Sequence, residues 1–161
     1  RPHSMSRKTS AEALADLERN FSKHPSFQLD VSPQSQGSFE DADIMVTDWS
    51  GAALEFAFGL ERPVIFVDLP KKINNQEYQS IPWEPIEVTL REQLGSVIPE
   101  DRLSDLADVV CNMNLIAEDW AEKLRKLRDE YVYNVGFSGT IGAKYIAEVA
   151  REQSQSVSHV N

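Results

Sequence analysis

Two short apolar runs with a helix-length segment between them constrain this chain most. Ile44-Met45-Val46-Thr47 is long enough for one strand, and Val64-Ile65-Phe66-Val67 is a continuous apolar run of the kind found inside parallel sheets. The segment Ser50 to Leu60 is apolar on nearly every side, through Ala52, Ala53, Leu54, Phe56, Ala57 and Phe58. A helix of that pattern is expected to be buried. Strand, helix and strand over residues 44 to 67 make a compact βαβ unit, expected to be right-handed. The fold class that follows is α/β, with a parallel sheet.

The turn inside this unit carries the chemistry. Asp48-Trp49-Ser50-Gly51 leads from the first strand into the helix, and Glu55 is the lone carboxylate that follows. Amides at a helix start are unpaired and partly positive, so they attract phosphate. Ser50 adds a hydroxyl, Gly51 permits close approach to the backbone, and Ala52 begins the helix. Glu55 lies roughly 7 Å beyond Ser50 at about 1.5 Å per residue. That is about the reach from a pyrophosphate to its ribose. The same strand–turn–helix pattern also occurs where nothing binds. The turn has neither the Gly-x-Gly-x-x-Gly of dinucleotide folds nor the Gly-Lys-Ser/Thr of P-loops.

Length and charge narrow the class. The chain has 161 residues, enough for one ordinary domain. A net charge of −10 argues against broad nucleic-acid binding and against this segment hugging an anionic membrane by itself. There is no run of about 18 apolar residues to span a bilayer, and no secretory leader is expected. Cys111 has no second cysteine to pair with, and beside Val109, Val110 and Met113 it reads as a buried structural thiol. His3, His24 and His159 are too scattered for a zinc site, and neither a metal nor a cofactor is expected.

Elsewhere the apolar spacing of Ala11, Leu14, Leu17 and Phe21 predicts a helix over 10 to 22, capped by Thr9 or Ser10. Phe27 to Asp30 and Ile86 to Leu90 read as short strands, Ser32 to Gly37 as a loop broken by Pro33, and Phe39 to Ala42 as a helical turn. Asp68 to Pro82, with Lys71, Lys72, Asn74, Asn75 and Tyr78, is either a ligand-side loop at a strand's carboxyl end or a solvated connection. Helices are expected at about 102 to 113, 115 to 132 and 139 to 153. Gly136-Phe137-Ser138-Gly139 imitates part of a nucleophile elbow, but a helix end precedes it, so it reads as a glycine C-cap followed by a serine N-cap. Residues 1–153 are expected to form one nucleotide-diphosphate-binding domain, with a frayed tail over 154–161.

Three segments together resemble a known family. They are Arg1-Pro2-His3, Thr47-Asp48-Trp49-Ser50-Gly51 with Glu55, and Gly59-x-x-Arg62-Pro63-Val64-Ile65-Phe66. They look like the C-terminal half of CDP-glycerol glycerophosphotransferases, which build teichoic-acid-like polymers. More loosely they resemble GT-B nucleotide-sugar enzymes, including UDP-N-acetylglucosamine 2-epimerases. The resemblance is concentrated in residues 1 to 3 and 43 to 78 and is weak beyond residue 85.

The resemblance implies a Rossmann-like three-layer domain with a parallel sheet, the C-terminal half of a GT-B fold, with CDP-linked donor binding at Asp48, Trp49, Ser50, Gly51, Ala52 and Glu55. The family's Asp-Tyr-Ser-Ser becomes Asp48-Trp49-Ser50-Gly51, so one hydroxyl contact gives way to backbone. Asp48 is expected to fix the turn, and Glu55 to face the ribose. His3 is the expected catalytic residue, bonding or protonating a pyrophosphate oxygen. Ser4 stands where the family has proline, which keeps alive a second reading of Arg1 to Ser4 as tag residues before a native Met5.

The implied reaction moves glycerol phosphate, or a related alcohol phosphate, from the CDP-linked donor to an acceptor hydroxyl in surface-polymer synthesis, and CMP leaves. The base for that hydroxyl is expected outside this chain. The implied partners are a polymer or lipid-linked acceptor and the N-terminal domain of a larger parent protein, which alone would reach the membrane. The expected location is cytoplasmic, peripheral to the inner face of the membrane. A raw sheet edge leaves pairing between copies open. The alternatives are a GT-B glycosyltransferase or UDP-sugar 2-epimerase-like enzyme, and a non-catalytic nucleotide-binding or assembly domain.

Overall fold

The computed structural model describes residues 1–3, 5–32, 36–71, 73 and 75–158, with the backbone alone for residues 7, 36 and 154–158. The positions of Ser4, Pro33, Lys72, Asn74 and His159, named above, lie outside the described residues. The chain is α/β. Helices α1 (Ser6–Thr9), α2 (Ala11–Phe21) and α3 (Gln36–Asp41) precede strand β1 (Met45–Thr47). Helix α4 (Ala52–Leu60) leads to β2 (Val64–Asp68). Short helices α5 (Ile86–Thr89) and α6 (Arg91–Leu94) then lead to β3 (Gly95–Pro99). A 3-10 segment over Glu100–Asp105 runs into α7 (Leu106–Leu115), followed by α8 (Ala117–Tyr131) and α9 (Ser138–Ser158).

The sheet has three parallel strands in the order β1-β2-β3. Val64 aligns with Met45 on one side and Gly95 on the other, and Phe66 with Thr47 and Val97. Alternate residues of β2 point to opposite faces, so the all-apolar run serves two cores. Val64 and Phe66 join Ala53, Phe56, Ala57 and Phe58 of α4, Leu90, Leu94, and Leu124 and Leu127 of α8. Ile65 faces the other way, with Ile98 and with Met113 of α7. Helices therefore cover both faces, as a parallel sheet requires.

The βαβ unit matches its expected elements, and α4 buries Ala53, Phe56, Ala57 and Phe58. It stops at Glu61, which adopts a left-handed conformation (φ 56°, ψ 36°). The Glu61 carboxylate accepts hydrogen bonds from Arg125 (2.6 Å) and Arg128 (2.9 Å) of α8, fastening the end of α4 to its neighbour. Arg62 donates to the carbonyls of Glu40 and Ala42, both at 2.7 Å, and so satisfies the otherwise open end of α3. The arginine of the Arg-Pro motif thus closes a helix end.

Four expectations change. Phe27 to Asp30 pairs with no strand. Ile86 to Leu90 is the turn of α5 rather than a strand, and the third strand lies further on, at Gly95–Pro99. Cys111 is exposed, because the inward stripe of α7 runs through Leu106, Val109, Val110 and Met113 and position 111 falls off it. Helix α9 begins at Ser138 itself, after a turn in which Asn134 and Gly136 take positive φ. The segment before that turn is α8, which excludes a strand-based nucleophile elbow.

Candidate functional site

Strands β1 and β2 end side by side, and the turn Asp48–Gly51 leaves the carboxyl end of β1 to start α4. Beyond these ends lies a cleft of about 410 Å³. Asp48, Trp49, Ser50 and Gly51 form one wall, with Ala53 and Leu54 behind them. Phe66, Pro85, Glu87 and Leu94 supply the rest. This is where open α/β sheets hold their ligands. A larger hollow of about 500 Å³ runs along α8, but all six of its lining residues belong to that helix. Its Glu122 and Lys126 already pair at 2.5 Å, so it is an uneven charged face rather than a receptor.

The helix start is tighter than the sequence suggests. The Ala53 and Leu54 amides donate to the carbonyls of Ser50 and Gly51, each at 3.1 Å, and the Ala52 amide donates to Ser50 Oγ at 3.3 Å. Three donors expected to face a phosphate are thus engaged internally. Among the described residues, the amides of Ser50 and Gly51 carry no internal bond. Gly51 has ordinary right-handed angles (φ −60°, ψ −23°), so its glycine is not needed for conformation. A Cβ there would come within 3.9 Å of the Glu87 carboxylate, on the cleft side.

Trp49 is half-buried, and its indole N–H donates to the Leu69 carbonyl at 2.6 Å. The Arg91 guanidinium lies 3.6 Å from the centre of the Trp49 ring and 5.1 Å from that of Phe66. Lys71 Nζ sits 4.9 Å from the Trp49 ring. Arg91 is 6% exposed, and its Nη1 donates to Asp68 Oδ1 at 2.8 Å. Two cations thus pack on the Trp49 ring of the cleft wall, while the cleft's own charged lining groups are the acids Asp48 and Glu87.

Of the expected site residues, Asp48, Trp49, Ser50 and Gly51 come together in the cleft. Ala52 and Glu55 are not among its lining, and Glu55 is exposed on α4. His3 does not line it either. It is exposed, and its Nδ1 accepts from the Met5 amide at 3.2 Å. Arg1, beside it, donates to the Ser32 carbonyl and lies 3.8 Å from Asp30. Two residues escaped the sequence reading. Glu87 follows Pro85 as an acid in a first helical turn, a signal hidden once the segment is taken for a strand. Arg91 gave no signal beyond being a charge between Leu90 and Leu94, both of which are buried.

Among the described residues, no group of three or more His, Cys, Asp and Glu side chains is placed to hold a metal, and no helix is long and apolar enough to cross a membrane. Comparison with protein-family models, with curated proteins and with solved structures finds no match to this chain.

Proposed function

We propose that this cleft binds the CDP-linked donor of a glycerophosphotransferase-like enzyme, and that the chain supplies the donor-binding, C-terminal half of a GT-B arrangement. The observation that carries this reading is the position of the cleft. It opens beyond the carboxyl ends of β1 and β2 and is walled by the same Asp48-Trp49-Ser50-Gly51 turn that resembles the family. The amides of Ser50 and Gly51 would receive phosphate oxygens, and the Trp49 and Phe66 rings give the cleft an apolar side.

The ribose falls to Glu87 in this reading, since Glu87 lines the cleft and Glu55 does not. An acceptor hydroxyl attacks the phosphorus of the glycerol phosphate, the bond from that phosphorus to the bridging oxygen breaks, and CMP leaves with the electron pair. The cleft contributes by holding the leaving CMP and stabilising the charge it gains. The residue that takes the hydroxyl proton comes from the N-terminal domain of a parent protein working at the inner face of the membrane, and that domain also holds the polymer or lipid-linked acceptor.

The test is thermal stabilisation by CDP, CDP-glycerol and UDP-sugars. A ligand at 100 times its dissociation constant adds roughly 2.7 kcal/mol to stability. Preference for cytidine nucleotides is the expected result. Preference for UDP-sugars would move the assignment to a glycosyltransferase or epimerase, and no shift with any of them would leave a non-catalytic assembly domain. With Glu87→Gln, CDP binding is expected to weaken about fivefold more than pyrophosphate binding, the size of one lost hydrogen bond. Glu55→Gln should match the wild type. The reverse pattern would return the ribose to α4.

A further inference from the structure

We infer that Arg91 is a latent anion ligand, a guanidinium held behind the Trp49 ring that receives the phosphate group of whatever enters the cleft. This rests on the nucleotide-diphosphate reading of the same cleft and adds to it the residue that meets the charge.

Arg91 is buried, yet only part of it is satisfied. Its Nη1 bonds Asp68, while Nε and Nη2 are buried with no partner among the described residues. Buried charges ordinarily have their hydrogen bonds filled. A role as clamp for Asp68 uses Nη1 alone. The Trp49 and Phe66 rings meet the guanidinium as cation–π partners and fill none of its hydrogen bonds. What remains is one edge, and that edge is the Nε–Nη2 fork, the pair of parallel N–H groups that suits two oxygens of a phosphate.

The fork sits next to the cleft. Both rings that pack on the guanidinium also line the cleft, so the charge touches the cleft wall without being part of its lining. Trp49 is the movable part of that wall. Its side chain is half-buried, and its one hydrogen bond runs from the indole to the Leu69 carbonyl. Displacement of that ring would open the guanidinium to the cleft that Ser50 and Gly51 line.

The surrounding charges set the selectivity. Asp48 and Glu87 line the cleft and repel an anion at its mouth, while Asp68 competes for the guanidinium. Lys71 lies 4.9 Å from the Trp49 ring centre and pairs loosely with Glu84 at 4.0 Å. A small anion gains at the fork and at the Ser50 and Gly51 amides, and a ligand with hydroxyls gains at the carboxylates as well.

The experiment is calorimetric titration of the whole chain with inorganic pyrophosphate, with cytidine and CDP run alongside. Arg91→Lys keeps the charge and removes the fork. It is expected to weaken pyrophosphate binding about tenfold or more, with a much smaller loss for cytidine, which carries no phosphate. Asp68→Asn is the second variant. It frees Nη1 and removes the competing carboxylate, so it should tighten pyrophosphate binding severalfold, a gain that a purely structural arginine would not produce. The proposal is overturned if wild-type protein takes up no pyrophosphate. It is equally overturned if Arg91→Lys binds pyrophosphate as tightly as wild type, or if Asp68→Asn gains nothing. Pyrophosphate binding that follows both variants as expected, with CDP no tighter than pyrophosphate, would sink the nucleotide reading and leave Arg91 as an anion ligand.

Discussion

An alanine at position 95 would place its Cβ 1.6 Å from the carbonyl oxygen of Val64 and 2.9 Å from the Val64 nitrogen. The backbone at Gly95 is extended (φ 170°), a conformation open to any residue, so the constraint is the neighbouring strand rather than the torsion angle. Backbone cannot step aside as a flexible side chain can. Gly95→Ala is expected to destabilise the fold by about 3 kcal/mol or more, lowering the urea midpoint by about 1–2 M. An unchanged midpoint would mean that β2 and β3 do not run as close as described. The same residue explains why β3 was illegible. Gly95-Ser96-Val97-Ile98-Pro99 has two apolar residues between a glycine and a proline, and glycine and proline are the usual marks of a break. The signal for β3 is steric, and steric fit between strands leaves no trace in a hydropathy pattern. Arg91 is similar. Its burial depends on two rings brought from residues 49 and 66, which no local window contains.

At the scale of elements, the pairing of α4 with α8 shows how charge and packing share a task. Leu124 and Leu127 bury themselves against the Phe56 side of α4, and the Glu61 carboxylate then ties the end of α4 to Arg125 and Arg128. The Arg125 hydrogen bond holds the Glu61 carboxyl below the usual glutamate range. Partial burial opposes this, and Arg128 adds to it. A depressed folded value means that the ionised form is the one stabilised by folding. That contribution is complete above the unfolded glutamate value and is lost as pH falls through the folded one. Thermal stability should therefore drop below about pH 4. Glu61→Gln should flatten that drop and cost about 0.5–1 kcal/mol at neutral pH, the modest size expected of a partly exposed pair. A melting curve whose acid limb is unchanged by the substitution would remove Glu61 from the account. Elements β1, α4 and β2 were legible because each is mostly apolar and bounded by Gly, Pro or polar residues. The segment 86 to 90 misled because Ile86, Val88 and Leu90 alternate over five residues, a stretch too short to separate a strand from a helical turn. Of the site, the turn at 48 to 51 was visible. The acid across from it was not, because finding it required knowing that Pro85 begins a helix.

For the whole molecule, order is concentrated around β2. Val64, Ile65 and Phe66 are at most 2% exposed, whereas α2 has no buried residue and α9 shows Ile141, Tyr145 and Ile146 to solvent. Local opening follows such gradients. In hydrogen exchange the amides of β2 and α4 should be the slowest, and those of α2 and α9 should exchange orders of magnitude faster. Uniform protection across all of them would contradict a single centre of stability. The sheet itself is narrow. Among the described residues β1 and β3 each pair only with β2, so main-chain donors and acceptors on both margins look outward. Unpaired margins of this kind are where a further strand pairs, and at high concentration they are where one molecule adheres to the next.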